Sequence, residues 1–145
     1  MPKRSWVDLV IHAVWSTKDR ARVLPASADE WWDEAIRREA GKLRCSVLAV
    51  GLTWDHVHLV ASLHPTVTLA TLIQQIKGAS CRAWNQSRLV ARPDWRPLVW
   101  QDGYWAQSCD PLTVGGLLPY VARQRTAHRD DCPFEAWSTD HEPVR

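Results

Sequence analysis

The sequence predicts an α+β protein of the ferredoxin-like type, a βαββαβ antiparallel sheet followed by a C-terminal helix. Segments with apolar residues at every second position alternate with segments whose apolar residues recur three and four apart. Their order is strand, helix, strand, strand, helix, strand, helix, which places helices on one face of the sheet. In that arrangement the first and third strands are the central pair, and the terminal helix can cover the open face.

The length is that of one domain. We expect residues 1–130 to form it and residues 131–145 to be an irregular tail. The apolar run at 7–15 is too short and too polar for a membrane span or a signal peptide, so we expect a cytoplasmic protein with no membrane partner.

The composition narrows the class of protein only in part. Four scattered cysteines argue against a zinc ribbon and against a disulfide framework, so free thiols are expected. A net charge of +2 does not by itself indicate a nucleic-acid partner, although Arg outnumbers Lys by 14 to 4. The ten tryptophans form no tight cluster along the sequence, and we expect most of them in the core or covering the surface.

The N-terminal half contains three of the predicted strands. Apolar residues occupy every second position over residues 6–17, which predicts the first strand. Ser27 and Glu30 have the spacing of a capping box and predict a helix that runs to about Lys42. Residues 45–52 and 56–63, separated by a short polar break, predict an antiparallel hairpin.

The C-terminal half contains the last strand and two helices. Thr66 or Thr68 can cap a helix that runs to about Asn85. Residues 87–97, rich in Arg and Pro, predict a loop, and residues 98–109 predict a strand. Thr113 is the expected cap of the last helix.

Two pairs of residues carry the chemistry. His56 and His58 alternate with apolar residues, so both imidazoles project from one face of the third strand. Two such imidazoles, about 6–7 Å apart along the strand, can bind one divalent cation. Tyr120 and Gln124 are four apart and share a helix face, which His128 extends. Gln124 can offer an oxygen to a hard cation, and Tyr120 can attack phosphorus and hold a DNA end covalently.

These motifs resemble those of one family. His56-Val57-His58 resembles the His-hydrophobic-His motif of the HUH nucleases, and Tyr120-Val121-Ala122-Arg123-Gln124 resembles the Tyr-x-x-x-Gln motif of their single-tyrosine transposases. Those enzymes belong to small insertion sequences, with relatives associated with repetitive extragenic palindromes. Lys77-Gly78-Ala79-Ser80 and Gly103-Tyr104-Trp105-Ala106 are similar to two further segments of these enzymes. The resemblance covers most of the chain.

The resemblance implies a function and a set of ligands. His56, His58 and Gln124 would bind Mg²⁺ or Mn²⁺, and Tyr120 would cleave single-stranded DNA with hairpin or palindromic ends. The products would be a 5′-phosphotyrosine and a 3′-OH, which the enzyme rejoins in DNA transposition. The resemblance also implies a homodimer, in which the tyrosine helix of one subunit can complete the site of the other.

Further candidates are weaker. Arg88, Arg92 and Arg96 recur at every fourth position and either follow a phosphate backbone or form a solvated loop. His12 on the neighbouring strand either approaches the scissile phosphate or has no role, and His128 is either an auxiliary group or an exposed helix residue. The candidates for DNA contacts are Lys77, Arg88, Arg92, Arg96 and Arg123.

Some features leave alternatives open. Pro119 directly precedes Tyr120, so we expect the helix to start near Leu117 or Pro119 or to bend there, with Gly115-Gly116 as a hinge before it. The function could instead be that of a domesticated relative that processes palindromic repeats of its host. It could also be that of a non-catalytic RRM-like nucleic-acid-binding module, or of a metallohydrolase that uses water and forms no covalent adduct.

Overall fold

The computed structural model describes residues 6–91 and 96–127, and it has the predicted order of elements. Two single-turn 3-10 helices, Lys18–Arg20 and Ala26–Ala28, precede the first α-helix. The elements are β1 Val10–Ser16, α1 Asp29–Lys42, β2 Ser46–Leu52, β3 His56–Ser62, α2 Leu69–Ala91, β4 Trp105–Ser108, α3 Pro111–Ala122 and α4 Gln124–Ala127.

The sheet has the order β2-β3-β1-β4, and its three pairings are antiparallel. The prediction that the first and third strands form the central pair is therefore confirmed. His58 lies opposite Val14 of β1 and opposite Gly51 of β2, and His56 lies opposite Ser16. The histidine strand is thus paired along both edges, which holds its side chains in a defined register.

The two faces of the sheet are covered by different helices. Ile11, Ala13 and Trp15 of β1 point to the side where α1 and α2 complete the main hydrophobic core. A smaller cluster on the opposite side joins Val60 of β3 to Val121 of α3. Because side chains alternate along a strand, His56 and His58 share the face of Val60, and the terminal helix covers this face as predicted.

Five tryptophans form a tight cluster in the main core, as expected for most of the ten, although nothing in their spacing predicted that they meet. The indole of Trp32 lies 4.9 Å from that of Trp31, 5.2 Å from that of Trp84 and 5.6 Å from that of Trp100, measured between ring centroids. Trp15 joins the cluster edge-on to Trp100. The cluster unites α1, α2, β1 and the segment before β4, so residues distant in sequence meet only in the fold.

Several predicted element ends were wrong. β1 begins at Val10 because the chain before it is not paired as a strand, and β4 contains only Trp105–Ser108 of the predicted 98–109. The capping box is absent, since the cap of α1 is Ala28 and no side chain caps it. α2 continues to Ala91, so Arg88 lies in a helix and not in a loop.

The last helix also begins earlier than predicted. Asp110 and not Thr113 is the cap, because its carboxylate accepts a hydrogen bond of 2.7 Å from the backbone N–H of Leu112. Pro111 follows at the first helical position, where a missing N–H has no cost. Gly115-Gly116 therefore lies inside α3 and is not a hinge before it, and Pro119 lies in the last turn. α3 ends at Ala122, so Gln124 begins the separate turn α4.

Two sequence-wide expectations can be compared with the described residues. Cys45, Cys81 and Cys109 are free thiols, as predicted. Within 6–91 and 96–127, no helix combines the length and the apolar character that crossing a membrane requires.

Candidate active site

The centre of the site is the pair of imidazoles on β3. His56 and His58 are 0% and 1% exposed, and their ring centroids are 5.1 Å apart. Buried imidazoles need polar partners, and each ring has one at Nδ1. Those partners determine which nitrogen of each ring can hold a ligand.

The turn before β3 orients His56. Its Nδ1 lies 2.7 Å from Oδ1 of Asp55 and 2.8 Å from Oγ1 of Thr53. A carboxylate accepts, so the Nδ1 proton of His56 is donated to Asp55 and Nε2 is the nitrogen available for coordination. Burial alone would raise the pKa of the Asp55 carboxyl, but hydrogen bonds from His56 and Arg20 and the charges of both residues lower it below its ordinary value.

His12 orients the second imidazole. Its Nε2 lies 3.0 Å from Nδ1 of His58, and the two rings are stacked at 5.2 Å. Coordination by Nε2 of His58 requires the proton on Nδ1, so His12 must then accept it. Burial lowers the pKa of His12 to about 4, which leaves its ring neutral at neutral pH and able to accept. His12 therefore contacts His58, a candidate ligand, and does not stand apart from the histidine pair.

The tyrosine helix reaches this face from above β2 and β3. Val121 packs against Ala49 and Val60, and the ring of Tyr120 stands edge-on to His58 at 6.1 Å between centroids. Gln124 is 1% exposed, and its Nε2 donates to the backbone oxygen of Tyr120 at 3.1 Å. Its Oε1 is buried and accepts no hydrogen bond from any described residue. A buried amide oxygen of this kind is suited to a cation.

Gly51 allows this approach. A Cβ at this position would overlap the carbonyl oxygen of Val121 and lie 2.8 Å from Cγ of Gln124. Since Gly51 is the β2 partner of His58, the missing side chain makes room for the end of α3 directly beside the histidine pair. Glycine inside a strand is a known sign of such close backbone approach.

The donor set fits a divalent cation. Nε2 of His56, Nε2 of His58 and Oε1 of Gln124 provide two imidazole nitrogens and one amide oxygen, a combination that Mg²⁺ or Mn²⁺ can accept. Among the described residues there is no group of three His, Cys, Asp or Glu that could hold a metal ion. The amide would therefore have to serve as the third protein ligand.

Two of the predicted DNA-contacting residues, Lys77 and Arg88, contact other parts of the protein. Lys77 of α2 donates to the carbonyl oxygens of Gln101 and Gly103 at 2.9 and 2.8 Å, so its ammonium holds the segment before β4. The guanidinium of Arg88 lies 4.2 Å from the ring centroid of Trp84. Arg96 and Arg123 are exposed. Arg92 and His128 lie outside the described residues.

Four residues near the site were not predicted to have a part in it, namely Thr53, Gly51, Asp29 and Arg125. A signal existed for Gly51, because glycine is unusual inside a strand. A signal existed for Asp55 too, because a carboxylate next to a candidate ligand is a common outer partner of metal-binding histidines. No local pattern marks Asp29 and Arg125, which are 96 residues apart and meet only in the fold.

Comparisons of the sequence with known proteins find transposases. The sequence profile of the family described as "Transposase IS200 like" matches residues 5–124. The ISDra2 transposase TnpA of Deinococcus radiodurans is 29% identical over 106 residues, which are 73% of this chain and 73% of the relative.

Two solved structures share the fold. A protein of Deinococcus radiodurans, provisionally described as a transposase, superposes with a TM-score of 0.64 at 24% identity, covering 86% of this chain and 98% of its own. A REP-associated tyrosine transposase bound to a REP hairpin superposes with a TM-score of 0.60 at 12% identity, covering 86% of this chain and 71% of its own.

Proposed function

The chain belongs to the IS200-like transposase family, and from that premise we propose that it cleaves and rejoins single-stranded DNA with Tyr120 as the nucleophile. One observation carries the proposal. The end of the tyrosine helix brings Tyr120 and Gln124 to the face of the sheet where His56 and His58 lie. A phenol, a buried amide oxygen and two oriented imidazoles are the groups that transesterification of a phosphodiester needs in one place.

The chemistry is an exchange of one ester for another. Oη of Tyr120 loses its proton and forms a bond to phosphorus, while the bond from phosphorus to O3′ breaks and O3′ gains a proton. The products are a 5′-phosphotyrosine and a 3′-OH. A divalent cation, Mg²⁺ or Mn²⁺, held by His56, His58 and Gln124 would supply Lewis-acid stabilisation of charge on the phosphate oxygens.

The surrounding residues keep these groups in position. Asp55 and His12 hold the two imidazoles in the tautomers that present Nε2, and Gln124 is tied to the backbone of Tyr120. Rejoining is the same exchange with an incoming 3′-OH. Because the phosphotyrosine conserves the energy of the phosphodiester, rejoining needs no nucleotide cofactor.

The proposed substrate is single-stranded DNA with hairpin or palindromic ends. In support, one structural relative is bound to a REP hairpin. Exposed Arg96 and Arg123 can contact phosphates. We further propose a homodimer as the working form, on the family resemblance of the motifs.

The test is covalent capture. Wild-type protein, Mn²⁺ or Mg²⁺ and labelled single-stranded DNA from the flanks of its own gene should give an adduct that survives SDS. Tyr120→Phe should give none. Tyr104→Phe is the matched control, because Tyr104 lines a cavity of about 580 Å³ beside α2, away from the histidines, and should still form the adduct. Cleavage by the wild type without any adduct would identify water as the nucleophile and overturn the proposal.

A further inference from the structure

We propose that Trp54 and Arg22 form a nucleotide subsite beside the candidate active site. The indole stacks on an unpaired base of a single DNA strand, and the guanidinium contacts the neighbouring phosphate. This inference rests on the proposed function for the identity of its ligand, but it concerns binding and can be tested without cleavage.

Trp54 is the middle residue of the short turn between β2 and β3, and it is 44% exposed. Its two neighbours in the turn, Thr53 and Asp55, both contact Nδ1 of His56. The indole has no part in these hydrogen bonds, and turns favour Gly, Asn, Asp and Pro over a large apolar residue. The side chain therefore adds little to the turn and leaves aromatic surface open to solvent.

The loop 17–24 is fixed to this turn at both of its ends. The backbone N–H of its first residue donates to the carbonyl oxygen of Asp55 at 2.8 Å, and that of its last residue donates to the carbonyl oxygen of Trp54 at 3.0 Å. Between these points Arg20 pairs with the Asp55 carboxylate. Arg20 has a φ of 55°, a left-handed conformation that a non-glycine residue keeps only when its surroundings hold it. The indole thus stands on a preformed support that needs little ordering when a ligand binds.

Two guanidiniums lie beside the indole. Cζ of Arg22 is 5.7 Å from the ring centroid, and Cζ of Arg125 is 5.3 Å from it. Arg125 pairs with Asp29, whereas Arg22 is exposed and forms no ion pair with any carboxylate of the described residues. Proteins bind single strands by combining aromatic rings for the bases with cations for the backbone. The indole of Trp54 and the uncompensated charge of Arg22 provide one contact of each kind.

This corner adjoins the histidine pair. Trp54 precedes His56 by two residues, so their Cα atoms are at most about 7 Å apart. That separation corresponds to about two nucleotides at the roughly 3.4 Å rise of stacked bases. A strand whose phosphate lies at the histidines can therefore place a nearby base on the indole, and stacking there would hold the strand beside the candidate ligands.

The base contact is tested by combining a protein variant with an abasic strand. Binding is measured by fluorescence anisotropy with labelled single-stranded DNA from the flanks of the gene, in a Tyr120→Phe background that leaves the strand uncut. Trp54→Ala should weaken binding by about tenfold, and Trp54→Phe should keep most of the affinity because its ring can stack. One abasic nucleotide is then moved in turn through the unpaired positions. At one position it should weaken binding to the parent about tenfold and weaken binding to Trp54→Ala no further.

Trp6→Ala is the matched control for this series. Trp6 is also exposed but lies before β1, so this variant should bind with the affinity of the parent. Abasic losses that add to the Trp54→Ala loss at every position would show that no base meets the indole, and would overturn the subsite.

The phosphate contact is tested by the dependence of binding on salt. Arg22→Gln should reduce the slope of log affinity against log salt concentration by about 0.7, the share of one phosphate on a single strand. Arg38→Gln is the matched control, because Arg38 is exposed on α1, which packs on the other face of the sheet. Its slope should equal that of the parent. The same slope in Arg22→Gln would exclude Arg22 from the subsite.

Two further results separate the subsite from a structural role and from the proposed function. Trp54→Ala should bind Mn²⁺ as the parent does, because Thr53 and Asp55 keep their contacts with His56. Parallel loss of Mn²⁺ and DNA binding would show that Trp54 acts through the turn, and would overturn the subsite. Wild-type protein that binds the DNA without forming an adduct would count against the proposed function alone, whereas protein that binds none of it would overturn both.

Discussion

The two faces of this sheet are built on opposite principles. The α1–α2 face is stabilised by extensive hydrophobic packing, since five tryptophans and many aliphatic side chains fill one continuous core. On the histidine face the terminal helix packs on the sheet through only a small hydrophobic cluster. One carboxylate, one imidazole and one bare glycine decide where the candidate ligands lie. The main core and the candidate site thus lie on opposite faces of one sheet. Mutations on one face should mainly change stability, and mutations on the other should mainly change adduct formation.

The strongest test of this separation removes bulk from the α1–α2 face. Trp32→Ala deletes a fully buried indole at the centre of the cluster, so the free energy of unfolding should fall by about 3–5 kcal/mol, as for other buried aromatic truncations. Adduct formation per folded molecule should be unchanged. Urea unfolding and active-site titration measure the two quantities.

Trp6→Ala is the control for that variant, because Trp6 is 93% exposed and its loss should leave stability unaffected. If Trp32→Ala remained folded but lost adduct formation, the two faces would be coupled and the comparison would fail.

The next test adds one methyl group to the histidine face. Gly51→Ala places a Cβ against the backbone of Val121, so the end of α3 must lift away from the histidines. Displacements of about 1 Å at a reacting centre can cost about 100-fold in rate, and we expect adduct formation to fall by about that factor while the sheet stays folded. The measurement is the initial rate of adduct formation, with circular dichroism as the check on folding.

Gly41→Ala separates this effect from the general consequences of replacing glycine. A Cβ at Gly41 of α1 meets nothing within 4 Å, so this variant should form the adduct at the wild-type rate. A wild-type rate for Gly51→Ala itself would show that the helix end tolerates displacement.

A smaller effect is expected from the partner of His58. His12→Ala removes the group positioned to accept the Nδ1 proton, and loss of such an outer partner should weaken Mn²⁺ binding by about tenfold. Calorimetric titration of the apo protein with Mn²⁺ measures this without any DNA. His12→Gln should restore much of the affinity, because its amide oxygen can accept the same proton.

His64→Ala is the comparison for the loss of a histidine far from this pair, since His64 contacts Thr66 at the surface. Equal affinities for His12→Ala and wild type would mean that His58 needs no orienting partner.

The sequence patterns predicted the order and type of the elements better than the ends of the elements and the contacts between them. The order of elements and the central place of the histidine strand follow from periodicity, which burial imposes along each element. The start of α3 was not predicted. Asp110-Pro111 forms a stronger cap than Thr113, and the choice between two nearby caps depends on local contacts that periodicity does not describe. The grouping of His56 and His58 could be predicted because two residues apart on a strand means one face.

What could not be predicted are contacts between distant segments. His12 and His58 are 46 residues apart, and Asp29 and Arg125 are 96 apart. No spacing rule connects such positions, because the sheet register and the docking of α4 create the contacts. The motif match pointed to the candidate reacting groups, and the structure shows which residues contact them.

The bare backbone at Gly51 also has a genetic consequence. Every amino-acid replacement at this position adds a Cβ, so any missense change there should reduce adduct formation without unfolding the protein. The variant protein would accumulate normally and compete with the active protein for the same DNA ends. A change at this single codon would then convert an active protein into a competitor of its own active form, provided that it acts on DNA as proposed.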